Sequence, residues 1–444
     1  MPMSLRLTPL ALVIGLATWG SAQAQSLQEL YDAARAYDAT YLSARASAEA
    51  AGARIGQAEA ALRPSLGLNA SATQARTETP SNTNINARTL ATGLQGKYSV
   101  YNAANPLNLD RARRANVAAQ SDLESAEQDL MVRLSSAYFD VLAAQDALAT
   151  AQASKKFISE QLASAKRNFE VGTATITDTR EAQARYDIAS AQEIAADNDL
   201  RVKRTALDLL VGRVGVEPKP LATPVALPAL ASDRIDTWLA TAEEQHPAIR
   251  KARVGLEVAQ LDTQIARAGE KPTLDATAGL GAQNLHNNLS GLAAASSGVG
   301  TTKNASIGLS FTYPLFTGGY TQSRIKETLI LEERARNDLE FARRSVAQAT
   351  RQTFSFSQSL RAQAQALEAA ESSSKLALEA TQLGYKVGVR VNLDVLNAQA
   401  QLFSTQRDLA KARYDSIVMG LKLRQASGQL RAEDIYAVSG LLAK

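Results

Sequence analysis

Phe169-Glu170-Val171-Gly172-Thr173-Ala174-Thr175-Ile176-Thr177-Asp178 and Tyr385-Lys386-Val387-Gly388-Val389-Arg390-Val391-Asn392-Leu393-Asp394 are two copies of one turn. Around them Gly172 answers Gly388, Asp178 answers Asp394, Gln183 answers Gln399 and Gly212 answers Gly428, all at one offset. Two echoes lie further upstream: Arg63-Pro64-Ser65-Leu66 against Lys271-Pro272-Thr273-Leu274, and Tyr98-Ser99-Val100-Tyr101 against Tyr313-Pro314-Leu315-Phe316. A unit of some two hundred residues is far longer than the ~20–50 residues of a solenoid repeat. The chain is therefore expected to contain two structurally equivalent halves.

Glycine permits the positive φ that a tight turn needs, so each Val-Gly pair reads as the tip of a helical hairpin. Upstream of the first tip, Leu123, Leu130, Leu134, Tyr138, Val141 and Leu148 mark the apolar stripe of a helix running from about Leu107 to Glu170. Its counterpart runs from Tyr320 to Lys386. About 65 residues rising roughly 1.5 Å each reach nearly 100 Å. The return arms are expected at Asp178–Val211 and Leu393–Ser427. Asp178-Thr179-Arg180-Glu181 has the pattern of a capping box, and Asn392 is placed to cap the last long helix with Asp394 in its first turn. Single helices are expected over Ser26–Leu62, with Leu27, Leu30, Ala34 and Tyr37 at helical spacing, and over Trp238–Ala268.

Between these helices the period changes to two. Leu66, Leu68, Ala70 and Ala72 alternate with polar neighbours, as do Leu94, Gly96, Tyr98 and Val100. The second half repeats this from Leu274 to Ala282 and from Ala305 to Tyr313. Four strands in two hairpins follow, with polar loops over 77–86 and 284–304. About ten residues per strand, tilted near 45°, cover roughly 23 Å, close to the apolar band of an outer-membrane barrel. Four strands cannot close a barrel, and open edges are forbidden in lipid, so several chains must share one. Pro64, Pro272 and Pro314 sit where strand and helix meet, with Pro106 just past the second strand. Tyr98, Tyr101, Phe311, Tyr313, Phe316 and Tyr320 gather at the same level and suit an interfacial aromatic belt.

The first 24 residues read as a secretory signal peptide: Arg6, an apolar run from Leu7 to Ala17, and Ala22-Gln23-Ala24 before a mature start at Gln25. The chain has no cysteine, so export does not bring disulfides. Aromatics make up only 5% of 444 residues, and alanine is abundant, which favours long helical arms over a compact enzyme core. A formal net charge of +4, with both signs interspersed, suggests no nucleic-acid surface. The two histidines, His246 and His286, lie far apart, and no phosphate loop or nucleophile–base pair appears. The chain reads as non-enzymatic, with no cofactor.

The Val-Gly turns with their following Asp, the Arg/Lys-Pro strand openings, Tyr313-Pro314-Leu315-Phe316-Thr317-Gly318-Gly319 and Leu393-Asp394-Val395-Leu396-Asn397-Ala398-Gln399 together resemble the TolC family of outer-membrane efflux and type I secretion channels. The likeness covers nearly the whole mature chain. It implies a mainly α fold with membrane β: a homotrimer with a shared 12-stranded outer-membrane β-barrel in lipid, continued by a long α-helical barrel across the periplasm. The chain then divides into 1–24 (signal peptide), 25–215 (first repeat), 216–231 (Pro-rich equatorial linker), 232–429 (second repeat) and 430–444 (C-terminal equatorial tail). Implied partners are a periplasmic adaptor protein and an inner-membrane ABC or proton-driven transporter.

The resemblance also assigns sites. Asp394 matches the acid that rings the narrow periplasmic entrance; carboxylates about 10 Å apart in water repel by only ~0.4 kcal/mol, so such a ring is tolerable and binds cations. Asn397 stands where a second Asp is usual, which weakens the expected cation affinity. Tyr385 and Arg390 match residues that tie the inner hairpin to its outer neighbour in the closed state, with Thr177 and Asp178 as their counterparts. Val171, Gly172, Thr173 and Val387, Gly388, Val389 match the turns that meet the adaptor. From spacing alone, Asp178 and Asp394 are helix-start residues, and Tyr385 and Arg390 are surface groups. The competing class is the adaptor itself, which has one hairpin plus compact β domains instead of two hairpins and membrane-type strands. A coiled-coil surface protein is disfavoured by the polar-faced strands and paired Gly turns.

Overall fold

The computed structural model describes residues 25–78, 84–173, 175–222, 228, 232–288 and 299–443. The expected signal peptide with its cleavage site, the loop tips at 79–83 and 289–298, Ala174, most of the linker from 223 to 231 and Lys444 lie outside the described residues.

The duplication extends to element lengths. The first half runs α1 (Leu27–Tyr37), α2 (Ala39–Ala60), β1 (Ser65–Glu78), β2 (Asn84–Asn102), α3 (Ala104–Glu170) and α4 (Ile176–Val211). The second runs α5 (Ile235–Gln245), α6 (Pro247–Ala268), β3 (Thr273–Asn287), β4 (Gly300–Thr312), α7 (Tyr320–Lys386) and α8 (Asn392–Ala426), followed by α9 (Ala432–Ser439). Paired helices have 11 and 11, 22 and 22, 67 and 67, and 36 and 35 residues. The two long hairpins are α3–α4 and α7–α8, and α3 also packs on α2, α6 and α8.

Two expected helices are broken, and at the same point in each repeat. Ser26–Leu62 is interrupted at Asp38, whose Oδ1 accepts the Tyr41 N–H at 2.8 Å and starts α2. Trp238–Ala268 is interrupted at His246, whose Nδ1 accepts the Ala248 N–H at 3.1 Å, with Pro247 at the first position of α6. Proline disfavours helical backbone at the residue before it, which ends α5. Burial lowers the His246 pKa, so the ring stays a neutral acceptor. Asp38 is fixed further by the Arg133 guanidinium, Nη1 to Oδ2 at 3.1 Å and Nη2 to Oδ1 at 3.2 Å.

All four strands form one antiparallel sheet in the order β1-β2-β3-β4. They span 14, 19, 15 and 13 residues, longer than the ten expected, because pairing continues through the polar stretches assigned to loops. On β2 the residues in the parity of Gln95 and Lys97 are partly covered from Ile85 to Gly93 and those in the parity of Leu90 and Leu94 are exposed there, so the face that carries Gln95 and Lys97 is concave. A bulge between Ser99 and Tyr101 changes the alternation: Ser99 pairs with Asp275, but Tyr101 pairs with Leu274. The extra residue moves Tyr101 to the apolar face, beside Leu274 and Phe311. The echo of Tyr98–Tyr101 in Tyr313–Phe316 is not matched in structure, since β4 ends at Thr312. Pro64 and Pro272 directly precede β1 and β3, whereas Pro106 lies in the first turn of α3, where no donor is needed.

The main apolar core lies midway along the arms, far from the sheet. It joins α1, α3, α4, α8, the linker and α9 through Leu27, Leu30, Leu130, Tyr138, Ile417 and Ile435. Leu130, Leu134, Tyr138 and Val141 of the expected stripe are buried; Leu123 and Leu148 pack at its edge. The chain ends meet the linker here: Gln25 N–H donates to Glu217 O at 2.8 Å, and Ala443 N–H to Pro220 O at 2.8 Å. Burial pushes the Tyr138 phenol well above its ordinary range, so it stays a neutral donor to the Gln25 and Lys219 carbonyls at 3.2 and 3.0 Å.

Two tests follow. In Asp38, burial acts to raise the carboxyl pKa, but the Arg133 fork and the Tyr41 N–H outweigh it and hold it below 3.8. Its contribution is thus full above the unfolded value of ~3.9 and is lost as pH falls through the lowered folded value. Asp38→Asn is expected to cost about 2 kcal/mol at pH 7. The gap from wild type should narrow as pH falls below the unfolded value, read by thermal unfolding. The second test uses glycines that end the paired helical arms. A Cβ on Gly428 (φ +71°) meets the His246 Cα at 2.5 Å, whereas one on Gly388 (φ +80°) meets nothing within 4 Å. Gly388→Ala should cost only the backbone strain of about 1–2 kcal/mol, and Gly428→Ala at least ~4 kcal/mol; equal losses would contradict the packing at the α5–α6 break.

Candidate functional site at the hairpin tips

Each long hairpin closes at its Val-Gly pair. Thr173 N–H donates to Asn168 O at 2.8 Å and Val389 N–H to Gly384 O at 2.9 Å, with Gly172 and Gly388 at φ 78° and 80°. Val171, Val387 and Val389 project from the turns, 73, 66 and 74% exposed. Gly172 and Thr173 are exposed with them.

The first turn of α4 is capped three residues earlier than its sequence pattern suggests. Thr175 is the N-cap and Asp178 occupies the third helical position. Asp178 Oδ2 accepts the Thr175 N–H at 2.9 Å and its hydroxyl at 2.8 Å, while Thr175 Oγ1 accepts the Asp178 N–H at 3.2 Å. Thr177 is exposed on the same turn. Asn392 does not cap α8: Val391 is the N-cap, and Asn392 lies inside the helix, buried, its Oδ1 without a partner among the described residues.

Tyr385, Arg390, Thr177 and Asp178 are not joined within one chain. The Tyr385 hydroxyl accepts from Asn168 Nδ2 of the first hairpin at 3.5 Å. Arg390 Nη1 turns to Asp394 Oδ2 of its own hairpin at 3.6 Å. Asn397 Oδ1 instead accepts from Arg185 Nη2 of α4 at 3.0 Å. Asn168–Tyr385 and Arg185–Asn397 therefore tie the two hairpins together near their tips. Phe157 of α3 adds an apolar contact to the cluster of Leu378, Val395 and Leu402. Asn168, Arg185 and Phe157 did not stand out in the sequence. Each lies at an ordinary helical position, and its partner is more than two hundred residues away.

The tip segment so built carries one carboxylate on the first turn of α8, paired with its own Arg390, and an amide one turn later under a guanidinium. Among the described residues no group of His, Cys, Asp and Glu is arranged to hold a metal ion, and no helix is long and apolar enough to cross a membrane.

The profile of the outer membrane efflux protein family matches residues 30–213 and 238–429, one match for each half of the duplicated chain. The chain belongs to that family. It is 33% identical over 439 residues to outer membrane protein TolC of Vibrio cholerae, covering 98% of both chains. It is 30% identical over 453 residues to TolC of Escherichia coli, covering 99% of this chain and 90% of the other. In fold it is similar to the outer membrane channel CmeC of Campylobacter jejuni, with a TM-score of 0.76 at 18% identity, covering 99% and 98% of the two chains. As an outer membrane efflux protein of the TolC family it resides in the outer membrane. Its strands cross the bilayer, and its helical arms extend into the periplasm.

The capping role of Asp178 is directly testable. Thr175→Ala and Asp178→Ala each remove two of these three reciprocal bonds, and each should weaken the first turn of α4 by about 1 kcal/mol. Hydrogen exchange of the amides at 178 and 179, the first with acceptors in this turn, should then accelerate about fivefold in both variants. Acceleration in neither would mean that Asp178 serves another partner in the assembled protein.

Proposed function

We propose that three copies of this chain assemble one conduit across the outer membrane, and that the hairpin tips form its periplasmic entrance. The observation that carries this reading is the sheet. β1 and β4 leave an open edge on each side of a four-stranded strip with an apolar convex face and a polar concave face. In lipid those edges require partners, and three strips of four strands make a closed barrel of twelve. The two long hairpins of each copy then continue the lumen as a helical tunnel.

At the tunnel's far end, Asp394 supplies a ring of carboxylates and Asn397 a neighbouring ring of amides. Tyr385 and Arg390, with Thr177 and Asp178 of a neighbouring copy, hold the entrance shut between hairpins. Asn168 and Arg185 contribute through their bonds to Tyr385 and Asn397. Opening requires these polar contacts to break, because few buried apolar residues lie below Leu162 and Leu378 to hold the tips. Val171, Gly172, Thr173, Val387, Gly388 and Val389 present a small apolar knob on each hairpin. It suits the tip of a helical adaptor coupled to an ATP-driven or proton-driven inner-membrane transporter. Energy comes from that transporter, and the exported cargo is drug or protein.

Two measurements test the reading. The native mass in detergent, corrected for bound detergent, should correspond to three chains; a monomer would defeat the shared barrel. Tyr385→Phe combined with Arg390→Ser should raise single-channel conductance in a planar bilayer several-fold. An intact trimer with unchanged conductance would remove the gate from these residues while leaving the conduit standing.

A further inference from the structure

The convex face of the sheet changes character along each strand. All helices leave from the strand ends at Ser65, Asn102, Thr273 and Thr312, so the opposite ends face the cell exterior. Moving outward, the apolar convex residues end at Ala72 on β1, Leu90 on β2 and Ala305 on β4. Next on the same face come Arg88 and Lys303, and on β1 Gln74 followed by Arg76. Arg88 pairs across the strands with Gln74 and His286, and Arg76, two residues along from Gln74, is its diagonal neighbour, about 7–8 Å away by ordinary sheet geometry. The one carboxylate on this face of the described strands is Glu78, which takes Arg76 at 3.3 Å. The concave face is balanced: its charged residues in the described strands are Lys97 and Asp275, paired at 3.1 Å.

Positive charge is thus concentrated on the lipid-facing side toward the outer ends of the strands, with Lys303, opposite Ala282, four residues nearer the helices than the row of Gln74, Arg88 and His286. Cations bordering hydrocarbon are unfavourable unless an anion or water meets them there. The outer leaflet of such a membrane carries phosphate at its polar boundary, on the phosphorylated glucosamines of lipid A. We propose that Arg76, Arg88 and Lys303 bind the phosphate groups of lipid A and so seat the barrel in the outer leaflet. Guanidinium forks match phosphate oxygens in bidentate geometry, and a lysine adds a point charge. The adjacent apolar residues receive the acyl chains. This site does not depend on the entrance at the other end of the molecule.

The test is binding of defined lipids to the full-length protein in detergent, read by native mass spectrometry. The probes are bis-phosphorylated lipid A, the same lipid with its phosphates removed, and phosphatidylglycerol. Wild type should bind the bis-phosphorylated form in preference to both others. Arg88→Gln should weaken that binding about fivefold, and the triple variant R76Q/R88Q/K303Q on the order of a hundredfold. Lys97→Gln removes a cation from the concave face of the same sheet and should bind like wild type. The proposal is overturned if dephosphorylated lipid A or phosphatidylglycerol binds as tightly, if Lys97→Gln loses as much as Arg88→Gln, or if the outward variants bind unchanged. Arg88→Gln alone suffices should the triple variant fail to insert.

Discussion

A peptide group inside hydrocarbon has no water to bond with, and an unpaired strand edge leaves a row of such groups. In this chain the constraint falls on β1 and β4, the outer strands of a four-stranded sheet. It demands further copies of the sheet, and it dictates what lies at the sheet's lower end. Every chain segment must leave toward the periplasm and change from ladder pairing to helix. Pro64 and Pro272 mark two of these changes just before a strand begins. At the third, β2 passes into α3 through Ala103 alone, with a bulge that returns Tyr101 to the apolar side. The fourth takes the longer Tyr313–Gly319 segment, which ends in two glycines at positive φ.

Below the membrane the problem reverses. Long helices satisfy their own backbones, so their difficulty is lateral alignment over about 100 Å with mostly small side chains. The chain concentrates its large buried residues at mid-length, where the termini and the linker wrap the arms around Tyr138, Phe139 and Tyr414. Toward the sheet, alignment is kept by charged pairs across α3 and α6: Arg111–Asp262 at 2.6 Å, Arg114–Glu257 at 3.1 Å and Lys251–Asp122 at 2.8 Å, with Arg250–Glu124. Exposed pairs contribute at most about 1 kcal/mol each, so they fix register more than they stabilise. Toward the tips, apolar burial thins to clusters of three residues and polar bonds take over. A region held mainly by a few polar bonds is one that opens locally without unfolding the rest.

Much of this was legible in the residues. The α7 arm was bounded correctly at both ends, because a Gly precedes it and a Val-Gly turn follows it. The doubling of the chain was visible in its turns. The breaks at Asp38 and His246 were not, since the helical pattern runs on through both; Pro247 was the available signal in the second case, whereas Asp38 offered only a capping side chain. The cap of α4 was displaced by three residues because Thr175 and Asp178 are both good cap residues, and only the backbone decides between them.

Hydropathy period, turn glycines and prolines act within a few residues of themselves. The sequence by itself therefore determined the order of strands and helices, the length of the arms and the two-fold internal repeat. Which side chains meet across the hairpins depends on how two helices more than two hundred residues apart are set against each other. That setting comes from the mid-length core and the charged ladder, not from any local preference. The tertiary structure alone decided that Arg185 reaches Asn397 and that Asn168 reaches Tyr385.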